Sequence, residues 1–136
     1  MILQEYLFVD DEGNYTEELI EGSYIKRICD TSASVGDLVT ESNSIVHGVD
    51  VPVNNTDKKA IIGIIIRKSD PTTACVMTKG VITGLSFLNK SKKVYLSTTG
   101  DISSGVPSVG YLQVLGHAIN DDAMDFNPAN IHIKLT

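Results

Sequence analysis

An all-β domain is the fold this sequence predicts, and three observations predict it. Strand-like runs rich in β-branched and aromatic residues recur every 8 to 12 residues or so, each bounded by Gly, Pro, Asn or Asp. The most apolar run, AIIGIII at residues 60–66, is short and β-branched, which favours a buried strand over a helix. No helical pattern of useful length follows residue 22. The expected architecture is a small antiparallel sandwich or barrel over residues 22–136, built from two similar halves, with residues 1–21 as an arm or extension.

The chain opens on an apolar cluster, Ile2, Leu3, Tyr6, Leu7, Phe8 and Val9, followed by a turn signal at Asp11 to Asn14. The cluster is either an edge strand or an arm that packs on a neighbouring subunit, because an apolar terminus ahead of an acidic turn has no obvious place in one small core. Thr16 to Ile20 suits one helical turn capped by Thr16. Ser23 to Ile28 reads as the first strand of the body, and Leu38 to Thr40 as the next, after the Gly36-Asp37 turn. Asn43, Ser44 and Gly48 mark further turns. Val49, Val51 and Val53 alternate with polar Asp50 and with Pro52, which confines that strand to an edge.

Ala60 to Ile66 and Ala74 to Thr78 then form a hairpin about the Ser69-Asp70-Pro71-Thr72 turn, ended by Lys79-Gly80. Short runs follow at Val81 to Thr83 and Leu85 to Leu88. Val94 to Ser97, Tyr111 to Ile119 and Ala123 to Phe126 complete the strands. The second half echoes the first in outline. Asp37 to Val39 corresponds to Val94 to Leu96, a polar loop bearing proline follows each, and the strand entering each hairpin holds a glycine, Gly63 or Gly116. A glycine inside a strand marks a bulge or the close approach of another backbone.

Composition narrows the function. The 136 residues fit one domain, with 42% hydrophobic and 21% charged residues, ordinary for a folded soluble chain. No apolar run nears the roughly 20 residues a bilayer span needs, and the acidic start lacks a secretory signal's basic region, so a soluble protein made in the cytoplasm is expected. Two cysteines, Cys29 and Cys75, are expected as buried thiols. The net charge of -6 is carried by residues 1–30, with eight acids against Lys26 and Arg27, while residues 31–136 hold nine of each sign. A neutral body without a basic stripe argues against nucleic acid as partner.

Chemistry-bearing clusters are sparse. Asp121, Asp122 and Asp125 lack the ligand spacing of a calcium loop and read as a hairpin turn. His47, His117 and His132 lack zinc-ligand spacing. Cys75 sits in an apolar strand context, no nucleophile elbow or phosphate loop occurs, and the motifs of a trimeric dUTPase are missing. No catalytic residue, metal or cofactor is therefore assigned, and the expectation is a non-enzyme.

The segments GDLV (36–39), IIGIIIRK (61–68), CVMTKGVITGL (75–85) and VYLSTTGDI (94–102) through YLQVLGHAINDDAMDFNP (111–128) carry a resemblance. Their spaced glycines and apolar positions, over about residues 22–131, are similar to a bacteriophage virion module found in capsid decoration and head-fibre proteins and at the bases of some tail fibres. The resemblance implies a small β-sandwich or barrel, commonly a homotrimer, that sits on the capsid surface of a virion. It would bind the major capsid protein and reinforce the head, as a cement protein does, or anchor a fibre, with Ile2, Leu3, Tyr6, Leu7, Phe8 and Val9 as subunit or capsid contacts. The alternative is a carbohydrate- or receptor-binding β module of a tail fibre or tailspike, for which Tyr95 and Tyr111 are the available aromatic platforms.

Overall fold

Among the described residues twelve strands follow one another: β1 (Ile2–Leu3), β2 (Ser23–Cys29), β3 (Leu38–Ser42), β4 (Ile45–Gly48), β5 (Gly63–Asp70), β6 (Thr73–Thr83), β7 (Lys93–Leu96), β8 (Ile102–Ser103), β9 (Gly110–Leu112), β10 (Val114–Ala118), β11 (Met124–Phe126) and β12 (Ile133–Leu135). The computed structural model describes residues 2–3, 22–42, 45–48, 60–86, 88–89 and 92–135, and among these there is no helix. The expected Thr16 turn and the Val49 to Val53 edge strand lie outside the described residues.

The long strand β6 serves two groups of strands. Its first part pairs with β5 on one side and β2 on the other. Because β5 pairs with β3, β3 with β4 and β4 with β2, these five strands close on themselves as a ring, β2-β4-β3-β5-β6. The closing pair, β2 with β4, is parallel, which corrects the expectation of a purely antiparallel sheet. The last part of β6 pairs with β11, and the sheet continues through β10 and β7 to β8. Strands β9 and β12 form a separate two-stranded ribbon.

The two halves repeat one strand order. Reading β2-β6-β5-β3-β4 beside β6-β11-β10-β7-β8, every neighbour in the first series has a counterpart in the second, each pair antiparallel, and β6 belongs to both. Gly63 lies opposite Val39, and Gly116 opposite Val94. The register thus equates Val39 with Val94, two residues from the correspondence read in sequence, an offset that keeps every side chain on its face. The halves differ at their seams. Ring closure in the first comes from β4 on β2; on β6 the equivalent edge, opposite β11, is taken by β1, with Leu3 opposite Ile82 and Ile2 opposite Thr83.

Two cores explain the residue pattern. Inside the ring pack Cys29, Ala33, Val39, Val46, Ile65, Ala74 and Val76, mostly small side chains, as a five-stranded ring requires. The outer faces of the same strands meet the second half in a larger core that includes Leu38, Ile64, Ile66, Met77, Ile82, Leu115, Met124 and Phe126. Strands β3, β5 and β6 are therefore covered on both faces, which is why Ile64–Ile66 reads as unbroken apolar sequence. Cys29 belongs to the inner core and Cys75 to the outer, so both thiols are buried and face different cores.

Several expected boundaries move. The run at 60–66 is a strand only from Gly63, because the backbone of Ile61 is held by a side chain: Gln113, 1% exposed, accepts from the Ile61 N–H (2.8 Å) and donates to the Ile61 and Ala129 carbonyls (2.9 and 2.8 Å). The run at 111–119 is likewise split at Gln113 into β9 and β10. Lys79-Gly80 does not end a strand; β6 runs through to Thr83 as it passes from one core to the other. Leu85 and Leu88 are buried in the larger core but form no strand, and the Leu85 and Leu88 N–H groups donate to the Asp122 and Asp121 carbonyls.

Candidate interaction surface

The ribbon β9–β12 and the loop leading into it present apolar side chains to solvent. His132, just before β12, packs edge-on to Tyr111 with ring centroids 4.6 Å apart, while its neighbours Ile131 and Ile133 are 73% and 57% exposed. Val106 and Val109, just before β9, are exposed to a similar degree. A two-stranded ribbon is marginal by itself, and exposed branched apolar residues on it are surface that another protein surface can cover.

The loop before β9 is tightly made. The Ser103 hydroxyl accepts from the Gly105 N–H (3.0 Å) and donates to the Gly105 carbonyl (3.2 Å), a local turn that sets Val106 outward. Two shallow depressions flank Val106. One, about 330 Å³, is lined by Ser97, Thr98, Ser103, Pro107 and Ser108. The other, about 440 Å³, is lined by Asn89, Lys92, Lys93, Tyr95 and Ser104. Both are open, and polar groups dominate the walls of the first only.

Of the residues singled out in sequence as contacts, Ile2 and Leu3 form β1, while Tyr6, Leu7, Phe8 and Val9 lie outside the described residues. Of the two aromatic platforms, Tyr111 is buried beneath His132 and cannot offer its face to a sugar, whereas Tyr95 is half-buried at the second depression. In sequence His132 already reads as part of a strand-like run after the Asn127-Pro128 turn, but nothing there names β9 as its partner.

The polar groups near the ring are structural. His47 Nδ1 lies 2.6 Å from Asp30 Oδ2 beside the parallel closure, and Arg27 Nε lies 2.5 Å from Glu41 Oε1 across from it. His117 is exposed on β10 opposite Asp125. Burial pushes the Tyr24 phenol up to about 12, with nearby Cys75 adding to the shift. The Asn120 side chain accepts from the Asp122 and Ala123 N–H groups at 2.9 Å each, so Asp121 and Asp122 belong to a hairpin turn between β10 and β11, as their sequence suggested. No group of three or more His, Cys, Asp or Glu side chains among the described residues is arranged to hold a metal ion.

Comparison of the sequence with protein-family models and with curated proteins finds no match.

Proposed function

We propose that this chain is a non-enzymatic structural protein of a bacteriophage virion, a homotrimeric capsid decoration protein that binds the major capsid protein on the assembled head and stabilises it or anchors a fibre. The observation that carries the reading is the exposed apolar surface of Val106, Val109, Ile131 and Ile133 on a body otherwise neutral in charge. The sequence resemblance, in its spaced glycines and apolar positions, supplies the identity of the partner. In this reading the ribbon is the capsid contact. The arm residues Ile2, Leu3, Tyr6, Leu7, Phe8 and Val9 make contacts between copies, where symmetric assembly covers edge strands that a monomer would expose.

The test is binding to icosahedral heads that lack decoration. Saturable binding at a fixed number of copies per particle is expected, with a higher temperature of head disruption. The double substitution Ile131→Ser with Ile133→Ser should abolish binding while leaving thermal unfolding of the free protein unchanged. Failure of the unaltered protein to saturate any such head would end the decoration reading. Full binding by the double variant would remove the ribbon from it.

A further inference from the structure

We propose that β1 is an exchanged strand: in the assembled protein the Ile2–Leu3 backbone of one copy pairs with Ile82–Thr83 of a neighbouring copy. The proposal rests on the homotrimer reading above and specifies which edge the arm meets.

The repeated strand order shows why that edge is a docking place. In the first half the strand β2 is flanked by β6 on one side and by the closing strand β4 on the other. In the second half β6 takes the part of β2 and β8 the part of β4, yet β8 pairs with β7 alone among the described residues. The seam that β4 closes in one half is left to β1 in the other, and β1 runs antiparallel where β4 runs parallel. The backbone of Ile82–Thr83 is therefore a sheet edge whose cover is supplied by a segment remote in sequence. An uncovered edge is a template for pairing with another chain.

Two properties of β1 suit exchange. It has two residues and two register positions, so little ties it to one particular copy. The 19 residues between Leu3 and Ser23 can span about 60 Å when extended. A globule of this length has a radius of gyration of about 14 Å, so the tether exceeds the distance to the same edge on an adjoining subunit. The contacts made in the exchanged and the closed arrangement are identical, and holding copies together in a trimer raises the local concentration of the foreign edge.

Disulfide trapping distinguishes the two arrangements. Ile2 and Thr83 are direct cross-strand partners, and antiparallel partners have Cα atoms about 4.5 to 5.5 Å apart, within reach of a disulfide. In a background with Cys29→Ala and Cys75→Ala, a chain carrying Ile2→Cys is co-expressed with a chain carrying Thr83→Cys, and the double variant is made separately. After mild oxidation, exchange predicts a covalent dimer joining position 2 of one chain to position 83 of the other, mapped by mass spectrometry. If the double variant closes its disulfide within one chain and the mixture forms none, exchange is overturned. If neither forms, the β1–β6 pairing is absent and the proposal falls with it. Light scattering on the same samples separates the two readings: a trimer without interchain disulfides removes exchange and leaves the trimer, whereas a monomer removes both.

Discussion

At Gly116 the backbone has φ of 150°, and a Cβ built there would run into the carbonyl oxygen of Asp125 and lie 3.1 Å from Met124 Cε. Gly63 meets the same constraint on the other hairpin, with Val76 Cγ1 at 2.5 Å and the Met77 carbonyl oxygen at 2.6 Å. A backbone carbonyl is among the obstacles in each case, so a rotamer change alone cannot relieve them. Gly116→Val should therefore destabilise by about 2 to 4 kcal/mol, combining overpacking with strain at a positive φ. Asp121→Asn, at an exposed position of the neighbouring turn, should stay within about 0.5 kcal/mol of the unaltered protein. Urea denaturation of the two variants checks the ordering, and equal midpoints would sink it. Gln113 is the other residue on which the fold depends. Its amide bonds three backbone groups, the two of Ile61 buried and the Ala129 carbonyl partly so, and Gln113→Leu keeps the size while removing all three bonds. A loss of about 3 kcal/mol or more is expected from unsatisfied buried amides. Loss of amide protection at Ile61 beyond that at Ile65 would place the damage where the bond was.

Among elements, the hairpins were the most legible in sequence, because their turns are chemically explicit. Asp70 accepts from the Thr72 N–H at 2.8 Å and the Thr72 hydroxyl at 3.1 Å, forming the turn between β5 and β6 that Ser69-Asp70-Pro71-Thr72 announced. The Thr72 N–H, with a further contribution from Thr73, holds the Asp70 carboxyl below its ordinary value of 3.8. A carboxyl depressed in the native state adds stability above its unfolded value, and that stability is lost as pH falls through the lower native value. Asp70→Ala should accordingly lower Tm at pH 7 and make little difference at the acid end, well below 3.8; a Tm deficit independent of pH would show that the carboxylate charge is not involved. What sequence could not show were the elements fixed by distant partners. Strand β4 lies where Asn43, Ser44 and Gly48 signal turns, and it exists because β3 and β2 hold it from both sides. The start of β5 is set by Gln113, a residue far along the chain. Strand β12 is three residues long, and its pairing with β9 could not be read from sequence. The apolar positions were readable throughout, since burial on two faces leaves continuous runs. Which strands curl into a ring was not, because ring closure depends on one short parallel pairing.

At the scale of the molecule, a single strand belongs to both halves, and this sets how the protein comes apart. Alternate residues of β6 face different cores: Ala74 and Val76 point into the ring, Cys75 and Met77 into the larger core. Neither half can lose its order while β6 keeps both sets of contacts, so the two cores should unfold in one transition despite being separate clusters of side chains. Val39→Ala tests this. Val39 is fully buried inside the ring, in the first half, and its truncation should cost about 2 kcal/mol through lost burial and a cavity. If the halves are coupled through β6, hydrogen exchange followed by mass spectrometry should show amides of β10 and β11 losing the same opening free energy as those of β2 and β3, although no residue of β10 or β11 belongs to the inner core. A ring that opens alone, with β10 and β11 keeping full protection, would mean that the outer strands hold β6 without the ring, and the doubled strand order would then describe two folding units in place of one.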